Sequence, residues 1–471
     1  MKSEKKWVVL QAVMIGSFIT PLDSSIVNTI LPFFVSLFQT DISIVQWIPT
    51  VYLLTISSLI LLFGRLGDIR GHKAVFLTGL AGFTCASLLC GIALNIWMLI
   101  IFRSFQGIFG AMLMSVGPAI ITEAFPPHER GKALGISATS IAVALALGPT
   151  LGGLITEYLH WRMIFILNIP VGIFGVIFGL RTIPEKDVNK NQTLDWKGAM
   201  LIFFSLFSLL LFANRGVDWG WFSPVSVVLF CFFCICFSLF IFIERSTTQP
   251  LINLSLFRIK NFTLGNISLL LHFITAFTVI FLLPFYLITV LKLTISQIGF
   301  ILAAYPVVML FVSPVSGTIS DYIGTRLPTS IGMIICSISL FLFSMISETT
   351  NVSTIIFCLL LFSLANSIYQ SPNSSIIMGS VPKKYLGISS GMLANMRNLG
   401  MVLGIALSGT IFYSIAPAAS QKQGHIFNPV EVQMLLSGFR WAFLTGAGIA
   451  FVNSVISSLI KTNKLTAGKM G

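Results

Sequence analysis

The amino-acid sequence alternates between long apolar runs and short polar segments. Fourteen of the apolar runs are long enough for a helix to cross the ~30 Å hydrocarbon core of a bilayer, which takes about 20 residues. The pattern therefore predicts fourteen transmembrane helices. They are expected near residues 7–36, 46–64, 74–94, 97–122, 133–156, 163–181, 196–213, 223–243, 262–290, 297–319, 328–347, 353–378, 387–414 and 438–460.

The composition agrees with this pattern and excludes a soluble protein. A chain of 471 residues would otherwise suggest about three soluble domains. Hydrophobic residues make up 56% of the chain and charged residues only 9%, compared with roughly 25% charged residues in typical soluble domains. With a mean hydropathy of +0.95, the chain has too few polar residues to cover a surface in water. The predicted fold class is an all-α integral membrane protein.

The positions of Lys and Arg predict how the chain is oriented. If the N-terminus is cytoplasmic, 21 of the 28 basic residues lie in cytoplasmic segments and 5 lie outside, while Arg103 and Arg397 lie within spans. This bias predicts a multi-pass protein of the plasma membrane or bacterial inner membrane, with both termini in the cytoplasm. The net charge is +13. Because the basic clusters lie between apolar runs, we expect them to face anionic lipid headgroups and expect no nucleic-acid partner.

Two blocks of the first half recur in the second half at nearly one offset. A shift of 253 positions superposes Gly64, Asp68, Gly71 and Lys73 on Gly317, Asp321, Gly324 and Arg326. A shift of 256 superposes Pro126, Gly131, Gly135, Gly148 and Gly153 on Pro382, Gly387, Gly391, Gly404 and Gly409. The repeat predicts pseudo-symmetric six-span halves at 1–182 and 259–471, with an inserted pair of spans at 183–258. Such halves are typical of transporters that rock around a central site.

The first repeated block is a short charged loop between the second and third spans. It runs from Gly64 to Lys73 and includes Arg70 and Gly71. Asp68 is expected to interact with the positive N-terminal end of a helix in the other half, which would close the cytoplasmic side in one state. A solvated loop is the alternative. The glycine pairs of the blocks favour close helix packing, either static or at a moving interface.

Asp23 is the outstanding candidate for chemistry, because it lies deep in the first apolar run. A charge at the bilayer centre costs about 2.5–3.5 kcal/mol on insertion scales, and desolvation favours the protonated form of a carboxyl. We therefore expect Asp23 to exchange protons; a position near the interface, from which it reaches water, is the alternative. Arg103 lies in the fourth run, and a change in its distance from Asp23 would let the acid take up or release a proton. A structural arginine bonded to backbone carbonyls is the alternative.

Asn28, Gln106 and Arg397 are further candidates. Asn28 and Gln106 follow Asp23 and Arg103 by a few residues. Arg397 has no acidic neighbour in the sequence, so a structural and a functional role are both open. The apolar centres of the last six runs contain no acidic residue. Proton chemistry is therefore expected only in the first half, and substrate recognition in aromatic and apolar walls of both halves.

A proline interrupts the fifth run. Pro149 follows Gly148 and is followed in turn by Gly152 and Gly153. A proline within a helix removes one backbone hydrogen bond, and small neighbours permit a kink and close packing. Two interpretations of this segment are open: it is a passive kink in the helix, or it acts as a hinge or a seal.

Other classes of function find no support in the motifs of the chain. All seven cysteines lie in apolar runs, which predicts neither a disulfide framework nor a metal site. None of the five histidines belongs to an H-E-x-x-H motif, and Pro126 stands where a phosphate-binding loop ending in Gly131-Lys132 requires Gly. An enzyme, an ATP-driven pump and a cofactor are therefore not expected. A receptor would need an output domain, for which the chain has no obvious segment.

Together the blocks resemble the major facilitator superfamily, in particular the fourteen-span drug:proton antiporters of the EmrB/QacA type. The resemblance covers essentially the whole chain. Ile69 and Phe109 depart from the family pattern, which usually has a basic residue and a glycine there. The matching blocks are Leu22–Pro32, Gly64–Lys73, Arg103–Ala111, Gly148–Gly153, His160–Arg162, Asn168–Pro170, Asp195–Gly198 and Trp219–Trp221.

The resemblance implies a role for several residues. Asp23 and Arg103 would take part in proton coupling, and Gly64, Asp68 and Lys73 would belong to a cytoplasmic latch. The antiport motif would consist of Gly148, Pro149, Gly152 and Gly153.

The leading hypothesis is a secondary efflux transporter that works as a monomer in the lipid bilayer. It exchanges inward protons for an outward amphipathic, drug-like or cationic small molecule, and the proton gradient supplies the energy. The alternative keeps the fold and changes the cargo or direction. In that case the chain exports or imports an endogenous metabolite, an amino acid or a siderophore.

Overall fold

A computed structural model describes residues 3–40, 42–185, 194–247, 250–293, 295–416 and 429–460. Within these ranges all regular secondary structure is helical. In chain order the α-helices are α1 (Ser3–Thr29), α2 (Leu31–Phe38), α3 (Ile42–Val45), α4 (Trp47–Arg70), α5 (His72–Gly91), α6 (Ile96–Ala124), α7 (Arg130–Tyr158), α8 (Met163–Ile166), α9 (Asn168–Thr182), α10 (Trp196–Trp219), α11 (Pro224–Ser246), α12 (Lys260–Thr289), α13 (Ile295–Ile323), α14 (Arg326–Phe343), α15 (Val352–Gly379), α16 (Leu386–Ile415) and α17 (Pro429–Ser458).

The described residues contain fourteen helical segments long and apolar enough to cross a membrane, which confirms the predicted number. The first six spans are formed by α1, α4, α5, α6, α7 and the pair α8–α9. Helices α10 and α11 form the inserted pair, and α12 to α17 form the last six spans. We call the side of the bundle at which α1 begins the N-terminal face, and the other side the opposite face.

The first apolar run folds into two helices. Helix α1 continues through Pro21 and ends at Thr29, and α2 begins at Leu31. Pro32 explains the break, because it has no backbone N–H to donate to the carbonyl oxygen of Asn28 four residues earlier. Asp23 consequently lies only six residues before the last residue of α1. It is therefore closer to the opposite face than a residue in the middle of the helix would be.

The two halves meet along two helix pairs, α4 with α16 and α7 with α13. Near the N-terminal face the backbones almost touch. A Cβ atom placed on Gly64 would lie 2.5 Å from the carbonyl oxygen of Gly387, and one placed on Gly131 would lie 2.6 Å from that of Gly317. These distances are too short for any side chain, so the repeated glycines are what allows the halves to close here.

Toward the opposite face the same helices separate. Gly391 of α16 contacts the backbone of α4, but Ile405, about four turns later on the same side of α16, is 39% exposed. In the other pair, Thr139 of α7 donates a hydrogen bond to α13 (3.1 Å). Further along, Cβ atoms placed on Gly153 and Gly299 would have nothing within 4 Å. The halves therefore enclose a cleft that opens to the opposite face.

The inserted pair is joined to both halves near the opposite face. Arg215 of α10 donates to the side-chain oxygen of Gln46 (3.0 Å) and lies 4.9 Å from the ring of Trp47, in the first half. Trp221, which follows α10, donates to Thr410 of α16 in the second half (3.1 Å). Helix α10 thus bridges α4 and α16 on the side where they diverge.

The orientation predicted from the basic residues is tested by labelling. Arg181 at the end of α9 and Lys292 after α12 are both exposed, on the N-terminal face and the opposite face respectively. In a chain whose native cysteines are replaced by serine, we expect a membrane-impermeant maleimide to label Lys292→Cys on intact cells. Arg181→Cys should react only after the membrane is permeabilised. The reverse pattern would contradict cytoplasmic termini.

Candidate functional site

A buried ion pair joins two helices of the first half. The carboxylate Oδ2 of Asp23 on α1 accepts a hydrogen bond from Nη1 of Arg103 on α6. Both side chains are 0% exposed, so Asp23 does not reach toward water as the alternative interpretation required. In such a site each charge depends on the other for compensation.

Amide and hydroxyl groups complete the surroundings of Asp23. Its Oδ1 accepts from Nδ2 of Asn168 (2.9 Å) and Nε2 of Gln106 (3.2 Å). Gln106 also accepts from Arg103 through Oε1 (2.6 Å) and donates to Oγ of Ser87 (2.8 Å). We call Asp23, Ser87, Arg103, Gln106 and Asn168 the polar cluster. It links α1, α5, α6 and α9 inside the first half.

Aromatic rings enclose the arginine of this cluster. The guanidinium carbon of Arg103 lies 4.1 Å from the centre of the Tyr52 ring and 5.9 Å from that of Phe165. A cation over an aromatic face is stabilised by the ring quadrupole, most strongly where water is excluded. Tyr52 is itself fixed by a hydrogen bond from its hydroxyl to the carbonyl oxygen of Thr20 (3.2 Å).

The sequence analysis did not select Tyr52, Ser87 or Asn168 as site residues. Asn168 carried a signal, because it is a polar side chain at the start of an apolar helix and belongs to one of the family-like blocks. Ser87 and Tyr52 carried none, since small hydroxyl and aromatic residues are common in apolar runs. Only the packing of α4 and α5 against α6 brings Tyr52 to Arg103 and Ser87 to Gln106.

Asp68 makes the contact with the other half that its position predicted. Its two carboxylate oxygens accept from the backbone N–H groups of Gly387 (2.7 Å) and Ile388 (3.0 Å), at the start of α16. The positive end of the helix dipole favours a carboxylate at this place. Gly64 lies one turn before Asp68 and permits the close approach. We call the contact of Asp68 with Gly387 and Ile388 the first lock.

The second half supplies a mirrored contact. Asp321 on α13 accepts from the backbone N–H groups of Gly131 (3.1 Å) and Lys132 (3.2 Å) at the start of α7. Gly317 permits the close approach of the backbones here, as Gly64 does in the first lock. We call this contact the second lock. Each repeated loop block therefore docks on the repeated helix start of the other half.

Other residues of the two loops lie outside the locks. Arg70 is exposed, and Lys73 donates to a backbone carbonyl of α9 in its own half (3.2 Å). The sequence analysis missed His72, whose Nε2 lies 3.2 Å from the Asp68 carboxylate and whose Nδ1 lies 3.4 Å from that of Glu123. His72 thus connects the first lock to the end of α6.

The turns after the two aspartates are also equivalent. Gly71 has φ = 95° and Gly324 has φ = 89°, a region of backbone space that favours glycine. Arg326, the counterpart of Lys73, is exposed at the start of α14. The sequence repeat therefore extends to the backbone conformation of both loops.

The fifth-span motif packs against α1 near the polar cluster. A Cβ atom placed on Gly148 would lie 2.2 Å from Oγ of Ser25, and this hydroxyl donates to a backbone carbonyl of α7 (2.7 Å). Gly152 also lies against α1, whereas Gly153 faces open space. The side chain of Pro149 is outside the described part of the chain, so its function as a hinge stays a prediction.

The remaining candidates lie apart from the polar cluster. Asn28 is exposed near the end of α1, and Arg397 lies within α16 of the second half. In the described ranges, no group of three or more His, Cys, Asp and Glu side chains is placed to hold a metal ion.

The stability of the protein should depend on the ion pair. Arg103→Met leaves the carboxylate of Asp23 buried without a counter-charge, and we expect it to lower the free energy of unfolding by about 3–5 kcal/mol. The double variant Asp23→Asn/Arg103→Met removes both charges and should recover most of the loss. Thermal unfolding in detergent measures the difference, with exposed Arg440→Met as the control. Equal unfolding temperatures of the single and double variants would contradict the pairing.

Comparison with known proteins agrees with this architecture. The family model of the Major Facilitator Superfamily matches residues 13–405, and a second match covers 265–468. The riboflavin transporter RibZ of Clostridioides difficile is 33% identical over 412 residues, which cover 87% of this chain and 89% of that protein. The multidrug transporter protein MdtP of Bacillus subtilis is 28% identical over 411 residues (87% and 76%). The tetracenomycin C resistance and export protein of Streptomyces glaucescens is 26% identical over the same length (87% and 76%).

Solved structures share the fold at low sequence identity. The human organic anion transporter MFSD10 superposes with a TM-score of 0.67 at 15% identity, covering 96% of this chain and 99% of its own. The proton:xylose symporter XylE also gives a TM-score of 0.67, at 12% identity and with 98% and 97% covered. The two structures share the fold, the family model matches most of the chain, and one relative is more than 30% identical. The chain therefore belongs to the Major Facilitator Superfamily of membrane transporters.

Proposed function

We propose that the chain is a fourteen-span drug:proton antiporter of the EmrB/QacA type, which expels amphipathic compounds across the cell membrane while protons move inward. The observation that carries the proposal is the fully buried Asp23–Arg103 pair. Multidrug and export proteins among the relatives support this direction and cargo. We further propose that it acts as a monomer with cytoplasmic termini, and that the proton gradient is its energy source.

Proton binding at Asp23 provides a physical route to coupling. Protonation cancels the charge that compensates Arg103, and a buried arginine without a counter-charge is costly. The side chains of Gln106 and Asn168, which donate to the same carboxylate, must then rearrange as well. Arg103 and Gln106 lie on α6 and Asn168 lies on α9, so one proton changes the contacts of α1 with two other helices.

Helix α1 transmits this change to the interface between the halves. Ser25, two residues after Asp23, packs against Gly148 and donates to a backbone carbonyl of α7. The other end of α7 forms the second lock through Gly131. A shift of α1 relative to α7 therefore acts on a helix that is part of the closed interface.

The two locks hold the N-terminal face closed while the cleft is open to the opposite face. Alternating access requires both carboxylates to leave the helix starts on which they dock. Each lock consists of two hydrogen bonds to a carboxylate, which are stronger than bonds between neutral groups. We propose that their rupture, together with proton exchange at Asp23, exposes the central site to the cytoplasm.

A second candidate function keeps the fold and changes the cargo. The 33% identity to a riboflavin transporter over 87% of the chain favours a flavin-like metabolite as the alternative substrate. Direct uptake of radiolabelled riboflavin into proteoliposomes, measured beside dye transport, separates the two candidates.

The coupling proposal is tested by dye efflux from proteoliposomes with an imposed pH gradient. We expect the gradient to drive ethidium transport by the wild type and not by Asp23→Asn, because the amide does not bind a proton in this range. Glu348→Gln is the matched control, since it removes an acid from an exposed loop. Transport that is unchanged both by the gradient and by the Asp23 substitution would contradict proton coupling at Asp23.

The locks are tested by accessibility from the N-terminal face. Ala133 lies beside the second lock and is fully buried. The reporter is Ala133→Cys in a chain that otherwise lacks cysteine, and its rate of reaction with maleimide is measured. We expect Asp68→Asn and Asp321→Asn each to raise this rate several-fold, up to about tenfold. That range corresponds to about 1–1.5 kcal/mol of lost closure energy per lock. Unchanged rates in both variants, with Glu348→Gln as the control, would refute a closing function.

A further inference from the structure

A second arginine lies inside the membrane-spanning part of the molecule without the compensation that Arg103 has. Arg397 is the twelfth residue of α16, about 16 Å from the start of that helix at 1.5 Å per residue. It is only 8% exposed. Among the described residues it has no hydrogen-bond, ion-pair or aromatic partner, and no carboxylate acts on it.

The acids of the second half are too far along their helices to serve Arg397. Asp321 is engaged in the second lock, Glu348 lies in an exposed loop, and Glu431 stands in the first turn of α17. These are the three acidic residues after position 259. In the first half, Asp23 is paired with Arg103. The described protein therefore offers Arg397 no counter-charge.

Arg397 lies where the cleft between the halves ends. Two residues before it, Asn395 donates to the carbonyl oxygen of Ser57 on α4 (3.4 Å), which is a direct contact between the halves. Further along α16 the exposure rises, from the partly exposed Met401 to Ile405 at 39%. Arg397 therefore lies at the depth along α16 where the two halves begin to separate.

Neighbouring polar atoms on α16 also lack partners. Oγ of Ser390, Oδ1 of Asn395 and Nδ2 of Asn398 are buried and form no hydrogen bond within the described part of the chain. Ser390 precedes Arg397 by two helical turns and shares its side of the helix. Because buried polar groups in folded proteins are nearly always satisfied, this arrangement indicates a place for a polar occupant.

We propose that Arg397 is the anion-recognition subsite of the transport site, and that the chain carries compounds with a carboxylate or an equivalent anionic group. The inference rests on the proposed transport function and names its substrate class. A guanidinium presents two parallel N–H donors that match a carboxylate. An entering anion supplies the missing counter-charge and a cation does not, so the site prefers acidic compounds over cationic compounds of similar shape.

Two xanthene dyes of similar shape test the proposal. Fluorescein carries a free carboxylate and rhodamine 123 is a cationic ester. Fluorescence polarisation with purified full-length protein, at one fixed pH and without a gradient, gives the affinity for each dye. We expect wild type to bind fluorescein more tightly, and Arg397→Gln to weaken fluorescein binding about tenfold or more while leaving rhodamine 123 unchanged.

A second variant keeps the test decisive if Arg397→Gln does not fold. Met401→Glu places an acid one turn further on the same side of α16, within reach of the guanidinium. It should abolish the preference for fluorescein while Arg397 is kept. Unchanged fluorescein binding in the folded variants, or an equal loss of both dyes, overturns the proposal. Gradient-driven transport of either dye and its loss in Asp23→Asn test the antiport proposal separately.

Discussion

The absence of water around buried charge is the constraint on which this structure depends. In a membrane-spanning bundle an ionic side chain must find its partners within the protein. Asp23 and Arg103 supply each other's counter-charge, amide groups donate to the other carboxylate oxygen of Asp23, and aromatic rings lie beside the guanidinium. Because every member of this cluster depends on the others, the change of one charge cannot stay local.

Close approach of glycines sets the second condition. The locks need a carboxylate to reach the backbone N–H groups at the start of a helix in the other half, and this distance exists only because glycine meets glycine at both crossings. Gly64 and Gly387 at one crossing, and Gly131 and Gly317 at the other, are related by the internal repeat. The repeat thus provides two equivalent contacts that join the halves on the N-terminal face.

The inserted pair of helices adds a constraint that the repeat does not contain. Arg215 and Trp221 attach it to α4 and α16, the two helices that form one interface between the halves. It therefore lies across one of the two interfaces between the halves. Its contacts with Gln46 and Thr410 are near the opposite face, where α4 and α16 diverge.

The amino-acid sequence by itself determined the fourteen spans, because a bilayer requires a helix with a long enough apolar segment. It also marked Asp23, Arg103 and the repeated loops, because charges and matched glycines are rare in apolar runs. It did not identify Tyr52, Ser87, Asn168 or His72 as neighbours of these groups. Their residue types are ordinary in a helix, and only tertiary packing decides what they touch. Nor did it separate Arg103 from Arg397. Both are arginines in apolar runs. What distinguishes them among the described residues is a carboxylate from a distant helix, which Arg103 has and Arg397 does not. Which buried charge is compensated is a property of the packing between helices, and no local pattern along the chain encodes it.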